Sequence, residues 1–215
     1  MLGVAVISTL LLFFLSSAAG WIATVMTLWI VYFFRDPPRY TPVRDGLLVA
    51  PADGLVVSVA AAPLPVDAND HAPGQTATRI AIFLSAFDVH INRAPADGVV
   101  ERIAYRPGRK GIAFSPKASE DNERNVLVFD LGDGRRAVVV QIAGLVARRI
   151  RCWTSEGARL RAGERFGMIR FGSRVEVYLP ADAAPLVAEG QRCIGGETVL
   201  ADLQSAEPAR NADAR

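Results

Sequence analysis

The hydrophobic pattern changes character at residue 35. From Met1 to Phe34 no charged residue occurs, and two apolar blocks, Leu2–Leu15 and Trp21–Phe34, flank the small-residue patch Ser16-Ser17-Ala18-Ala19-Gly20. A helix rises about 1.5 Å per residue and a bilayer core is about 30 Å thick, so one span needs about 20 residues. Each block alone is shorter. Two arrangements fit the pattern: one long tilted helix, or a hairpin dipping into one leaflet. No basic stretch precedes the apolar run, which argues against a cleaved signal peptide. Trp29, Tyr32, Phe33 and Phe34 suit a membrane interface. Pro37 and Pro38 then end any helix. Arg35, Arg39 and Arg44 follow the apolar run, and by the positive-inside tendency they put the rest of the chain at the cytoplasmic face of the cell membrane.

Beyond that point the pattern is one of short β-type runs between turns. It predicts strands at Gly54–Ala60, Thr78–Ser85, Gly98–Tyr105, Asn125–Leu131, Arg136–Ile142 and Arg174–Leu179, the fourth and fifth joined as a hairpin by Gly132-Asp133-Gly134. One short helix is expected within Ala181–Glu189, limited by Pro185. Val66–Gln75 reads as a polar loop. The expected division is a membrane-associating segment (1–35), a catalytic β-rich domain (36–203) and a disordered tail (204–215). The fold class is mainly β, or β-rich α+β. The glycine-punctuated stretch Leu160–Ser173 suggests compact barrel-like modules of the lipoyl type, an analogy of fold alone.

Charge narrows the functions. With 24 basic and 22 acidic residues the net charge is +2, and no basic block with interleaved aromatics points to nucleic acid. Cys152 and Cys193 form neither a metal pattern nor a disulfide framework. The chain has two lysines, Lys110 and Lys117, and no glycine loop that would cradle a phosphate, so pyridoxal phosphate chemistry has little to build on.

Four stretches carry the chemistry: Ala50–Val57 (APADGLVV), Phe83–Gly98 (FLSAFDVHINRAPADG), Asp121–Asp130 (DNERNVLVFD) and Gly163–Pro180 (GERFGMIRFGSRVEVYLP). In this order they resemble phosphatidylserine decarboxylase proenzymes, especially the short form of bacteria and archaea. The resemblance covers most of the globular part. It implies decarboxylation of a phospholipid head group by a pyruvoyl group, whose ketone forms a Schiff base with the substrate amine. No metal is implied. The pyruvoyl group would come from Ser173: its hydroxyl attacks the carbonyl of Gly172, and the resulting ester breaks by β-elimination. The products would be a large chain (1–172) and a small chain (173–215), held as a heterodimer whose further association into a homo-oligomer is left open. Glycine at 172 leaves the carbonyl unhindered and permits a strained turn.

A serine nucleophile needs a base, and a base needs an orienting group. The resemblance assigns His90 as the base and Asp53 as the processing aspartate. Longer relatives carry a second histidine where this chain has Arg93. Either His90 therefore serves both processing and decarboxylation, or Asp88 replaces Asp53 beside it. His71 matches nothing in the family and reads as a surface residue. By resemblance Asn122, Glu123 and Arg124 line the site, and Arg93 or Arg124 would hold a phosphate or carboxylate. Phe166 and Phe171 read as packing residues. Two rival classes remain. One is a membrane-tethered serine hydrolase using Asp53, His90 and Ser173, although Ser173 precedes a strand and lacks the G-x-S-x-G elbow. The other is a membrane-anchored β scaffold without catalysis.

Overall fold

The computed structural model describes residues 2–68, 75–108, 122–132, 134–144, 149–170 and 172–212. His71, Lys110, Lys117 and Phe171 lie outside them. The chain forms two compact units, Met1–Pro37 and Pro38–Arg215.

In the first unit, α1 (Leu2–Leu15) and α2 (Ser17–Phe33) are separated by Ser16, whose backbone is extended (φ −165°, ψ 133°). The helices fold back on each other. Thr9 Oγ1 and Thr27 Oγ1 are 3.0 Å apart, and Phe13 meets Trp21 edge-on with centroids 5.7 Å apart. Gly20 makes room for this, since a Cβ there would lie 2.3 Å from the Phe13 ring. Thr9 and Thr24 donate their hydroxyls to the carbonyls of Ala5 and Gly20 one turn back, which satisfies them without water. Of the two arrangements open to the pattern, the hairpin forms. At 14 and 17 residues the helices reach about 21 and 26 Å. No helix among the described residues is long and apolar enough to cross a membrane.

The second unit is mainly β. Its strands are β1 (Leu47–Val49), β2 (Gly54–Pro63), β3 (Thr76–Leu84), β4 (Ile91–Arg93), β5 (Gly98–Arg106), β6 (Arg124–Asp130) and β7 (Arg136–Ala143), followed by β8 (Ile150–Cys152), β9 (Arg159–Leu160), β10 (Arg165–Ile169), β11 (Ser173–Tyr178), β12 (Arg192–Cys193) and β13 (Val199–Asp202). Eight of them form one antiparallel sheet in the order β12-β2-β3-β11-β7-β6-β5-β9. A three-stranded sheet has the order β4-β10-β8, and β1 pairs with β13. The six expected strands all form, and β6 and β7 make the expected hairpin with Asp130 opposite Arg136. The strands of two to five residues escaped the pattern because so few positions carry no period.

The expected helix at Ala181–Glu189 does not form. Pro185 makes an isolated bridge to Ala201, and Leu186 N–H donates to the Leu200 carbonyl. The backbone of this stretch is thus spent on β13, and Pro185 has no N–H to give a helix. In the tail, residues 204–212 have no regular structure, although Arg210 N–H donates to the Pro185 carbonyl.

Both faces of the large sheet are covered near its middle, and all six residues of β11 are buried. Val175 packs in the core with Leu84, Leu127, Phe129, Val139 and Phe166, and Val177 in a second cluster with Leu48, Ile80 and Leu200; Phe166 meets Phe129 as a packing residue at 6.1 Å. The opposite face carries Arg174, Glu176 and Tyr178. Arg174 Nη2 lies 2.7 Å from Glu176 Oε1, and the Tyr178 hydroxyl donates to Glu176 Oε2 at 3.1 Å. Burial, then the Glu176 charge, push the Tyr178 hydroxyl well up, so it remains a donor. Removing one partner of such a buried pair costs about 3–5 kcal/mol.

At the head of β2, Gly54 has φ +153°, and a Cβ there would lie 2.2 Å from the Phe83 carbonyl oxygen. Gly54→Ala is expected to lower stability by roughly 2–4 kcal/mol through backbone strain and overpacking. Urea denaturation of the full chain in detergent checks this, and an unchanged midpoint would refute it.

Candidate active site

Ser173 opens β11, the strand between β3 and β7, and pairs with Leu84 on one side and Ala143 on the other. It is fully buried, and its Oγ has no hydrogen-bond partner among the described residues. Buried hydroxyls are ordinarily bonded, so an idle one is a functional signal. Gly172 before it has φ +58°, with open space where a Cβ would stand. The glycine is required by backbone conformation rather than by crowding.

His90 is fully buried at the entrance to β4. Its Nδ1 lies 2.9 Å from the Asp88 carbonyl oxygen. A carbonyl only accepts, so Nδ1 carries the proton and Nε2 of the neutral ring holds the lone pair of a base. The His90 carbonyl accepts from Ile169 N–H at 3.2 Å. His90 is therefore tied to the end of β10, four residues before Ser173.

The expected orienting carboxylates are differently employed. Asp53 accepts from Arg39 Nη2 at 2.8 and 2.7 Å through its two oxygens, and from Gly195 N–H at 2.7 Å. Asp88 accepts from the Ser85 amide and hydroxyl and pairs with Arg192. The contact seen at the ring is instead from the Asp88 main chain to Nδ1. Asp53 still lies at the same end of the sheet as Ser173. Leu55 pairs with Phe83, and Ser173 pairs with the next residue, Leu84. Pairing follows strand geometry, which puts β2 two ladder spacings, about 10 Å, from β11.

The other expected residues also have partners. Asn122 Nδ2 donates to the carbonyl of Ala143, the cross-strand neighbour of Ser173, at 2.9 Å. Arg93, 6% exposed, donates to the Gly163 carbonyl at 2.9 Å. Arg124 donates to Asp67 at 3.1 Å. Glu123 accepts from the Tyr105 hydroxyl and the Ile150 amide. Two features were missed from the sequence. Arg39 reads there as membrane-flanking charge, yet it clamps Asp53. Asn125, Gln141 and Asn92 form a buried hydrogen-bonded series. The signal for it was two amides at core-facing positions in otherwise apolar strands.

The family model described as phosphatidylserine decarboxylase matches residues 26–201. The chain belongs to the phosphatidylserine decarboxylase family. It is 55% identical over 196 residues to the phosphatidylserine decarboxylase proenzyme of Ruegeria pomeroyi, covering 91% of this chain and 89% of that protein. The proenzyme of Cereibacter sphaeroides is 54% identical over 207 residues, covering 96% and 88%. That of Paramagnetospirillum magneticum is 54% identical over 198 residues, covering 91% and 81%.

The two cysteines are free thiols, Cys152 half-buried and Cys193 buried. Burial, and then the Asp53 charge, push the Cys193 thiol up to about 12. The thiolate is the nucleophile. N-ethylmaleimide at pH 7 is therefore expected to label Cys152 first, with Cys193 roughly a thousandfold slower than an ordinary thiol until the fold is opened. Peptide mapping of the labelled protein checks this, and equal labelling of both would refute it.

Proposed function

We propose that this chain is a self-processing proenzyme that decarboxylates phosphatidylserine to phosphatidylethanolamine, with the cut between Gly172 and Ser173. The observation that carries the reading is the idle, buried Ser173 Oγ directly after a glycine in the left-handed region. The chemistry that follows uses this chain's own atoms. Ser173 Oγ attacks the Gly172 carbonyl carbon as His90 Nε2 takes the hydroxyl proton. The C–N bond breaks and an ester forms. Loss of the Ser173 Cα proton then expels the Gly172 carboxylate, and the dehydroalanine left behind hydrolyses with release of ammonia. The pyruvoyl group so made supplies the electron sink for loss of CO₂.

The residues present fit such a group. The ladders to Leu84 and Ala143 hold residue 173 from both sides, and the pairs from Arg174 to Tyr178 remain to hold the strand after the residue-173 nitrogen is released. Asn122 secures the β7 side of that grip through Ala143 O. Asp53, clamped by Arg39, serves this reading as an anchor for the turn at the head of β2. Arg124 and Arg93 are the proposed contacts for substrate phosphate or carboxylate, and Arg124 would share Asp67 to make one. Gly163, Gly167 and Gly172, before, within and after β10, support the barrel-like, lipoyl-type character expected of this region.

The substrate lives in a bilayer, and the hairpin suits one. It carries no charge from residue 2 to 34 and exposes Phe14 by 89%, Leu15 by 80% and Val25 by 65%. We read it as a membrane anchor that keeps the site near its head groups, at the cytoplasmic face of the cell membrane. The small chain stays with the large one as a heterodimer, and the small basic excess gives nucleic acid no role.

Intact mass spectrometry tests the cut. Two fragments divided after Gly172 are expected, the smaller with a blocked N-terminus reactive to carbonyl reagents, and Ser173→Ala is expected to stay whole and inactive. A single full-length chain with full activity would sink the reading. For the anchor, Val25→Lys is expected to weaken liposome co-sedimentation, since a buried charge costs about 2.5–3.5 kcal/mol of insertion. Undiminished binding would show that the hairpin is not what holds the bilayer.

A further inference from the structure

The amide series on the core face links two sheets that must be in register for the proposed cut. Asn125 Nδ2, on β6, donates to Gln141 Oε1 on β7 at 2.9 Å, and Gln141 Nε2 donates to Asn92 Oδ1 on β4 at 2.7 Å. All three side chains are buried, two of them fully. β6 and β7 belong to the large sheet that holds Ser173, whereas β4 belongs to the small sheet entered through His90. Gln141 stands opposite Val175, two residues along the same face of β11 from Ser173. Asn92 pairs with Gly167 on β10. The chain from β10 to β11 passes through Gly172. The scissile bond and the amide series therefore bridge the same two sheets at the same end.

The series has a direction, and it ends on a donor. Asn92 uses its Oδ1 to receive Gln141, which leaves Nδ2. That nitrogen is fully buried and has no acceptor among the described residues. Leaving a buried N–H unpaired costs about 1–3 kcal/mol, and an aligned series of such dipoles polarises its last member. A donor held ready without an acceptor suits an oxygen whose negative charge exists only during reaction. Ser173 Oγ, a second buried polar atom of this region with no partner among the described residues, is the atom whose attack creates one.

We propose that Asn92 Nδ2 donates to the Gly172 carbonyl oxygen as it becomes an oxyanion, and that Gln141 and Asn125 are positioning residues that fix which way the Asn92 amide faces. In that step the Oγ–C bond forms, the carbonyl π pair moves onto oxygen, and the hydroxyl proton goes to His90. Collapse of the oxyanion then breaks C–N, and the amide nitrogen takes up a proton.

The proposal rests on the cut at Gly172–Ser173, and the experiment keeps the two apart. Full-length wild type, Ser173→Ala, Asn92→Asp, Asn92→Ala and Gln141→Glu are translated in vitro with liposomes. Cleavage is followed over time by gel and intact mass, with and without hydroxylamine, and melting midpoints are recorded. Asn92→Asp keeps size and acceptor and removes the donor, so cleavage about 10²–10³-fold slower is expected. Gln141→Glu leaves Asn92 in place but offers it only an acceptor, which turns Nδ2 away from the scissile bond, and a similar slowing is expected. Hydroxylamine splits an accumulated ester. It is expected to restore no cleavage in either variant, because the block precedes the ester, and a merely loosened fold would not select that step. Wild-type cleavage in Asn92→Asp, or rescue of it by hydroxylamine, overturns the proposal. If Asn92→Ala melts below the assay temperature, Asn92→Asp and Gln141→Glu decide. Cleavage in Ser173→Ala would instead overturn the cut site itself.

Discussion

The arrangement depends on one strand being gripped from both edges. β11 begins at Ser173, runs between β3 and β7 and is buried on both faces along its whole length. An interior strand commits every main-chain donor and acceptor to a neighbour. The position of Ser173 is thereby set by Leu84 and Ala143 rather than by its own side chain, which is what lets its hydroxyl stay unbonded. The valines below it feed the core, and the Arg174–Glu176 pair fills the other face. On the proposed reading the reactive residue stands at the end of a strand held on both sides, and the freedom that chemistry needs is confined to the glycine before it.

The site is then assembled from pieces that approach this strand end from different directions. His90 comes from the small sheet and is oriented by main chain, through Asp88 O on its ring and Ile169 N–H on its carbonyl. Main-chain orientation is insensitive to the charge state of a neighbouring acid, which distinguishes it from a Ser-His-Asp triad. Asp53 supports the same end through Arg39 and the Gly195 amide. The carboxylates of Asp53 and Asp88 are held by arginines and main-chain amides of the region.

Much of this was legible in the sequence, and the reasons differ by residue. The uncharged run of 34 residues announced an apolar helical segment but left one long helix and a hairpin both open, and the break at Ser16 decides between them only in the structure. The long alternating runs announced the strands, and the FGS stretch before RVEVYLP announced the glycine turn and the strand that opens at Ser173. The partner of Asp53 was not legible, since nothing local distinguishes Arg39 from the other arginines after the apolar run. A salt bridge is a property of the folded turn. The alternation of Arg174, Glu176 and Tyr178 gave the strand but not its burial, because mutually compensating polar groups look the same in sequence as solvated ones. Asn125 and Gln141 were hidden for a related reason: only the register across β6 and β7 reveals that they face inward and each other. The segment 181–189 has the composition of a short helix, but Pro185 and Leu186 spend its backbone on an edge to β13, which only the fold reveals.

The central placement of β11 also bears on how the protein comes into being. A strand inserted between two others is laid down most easily while it is still joined to its neighbours, when closing each loop is an intramolecular search. On the proposed reading, the connection is then severed after it has done this service. The finished enzyme would be one that its two pieces cannot readily rebuild, since their meeting would depend on concentration and would have to open an existing sheet. Its lifetime would be governed by the barrier to losing β11 rather than by an equilibrium with the unfolded chain, and each molecule would be folded once.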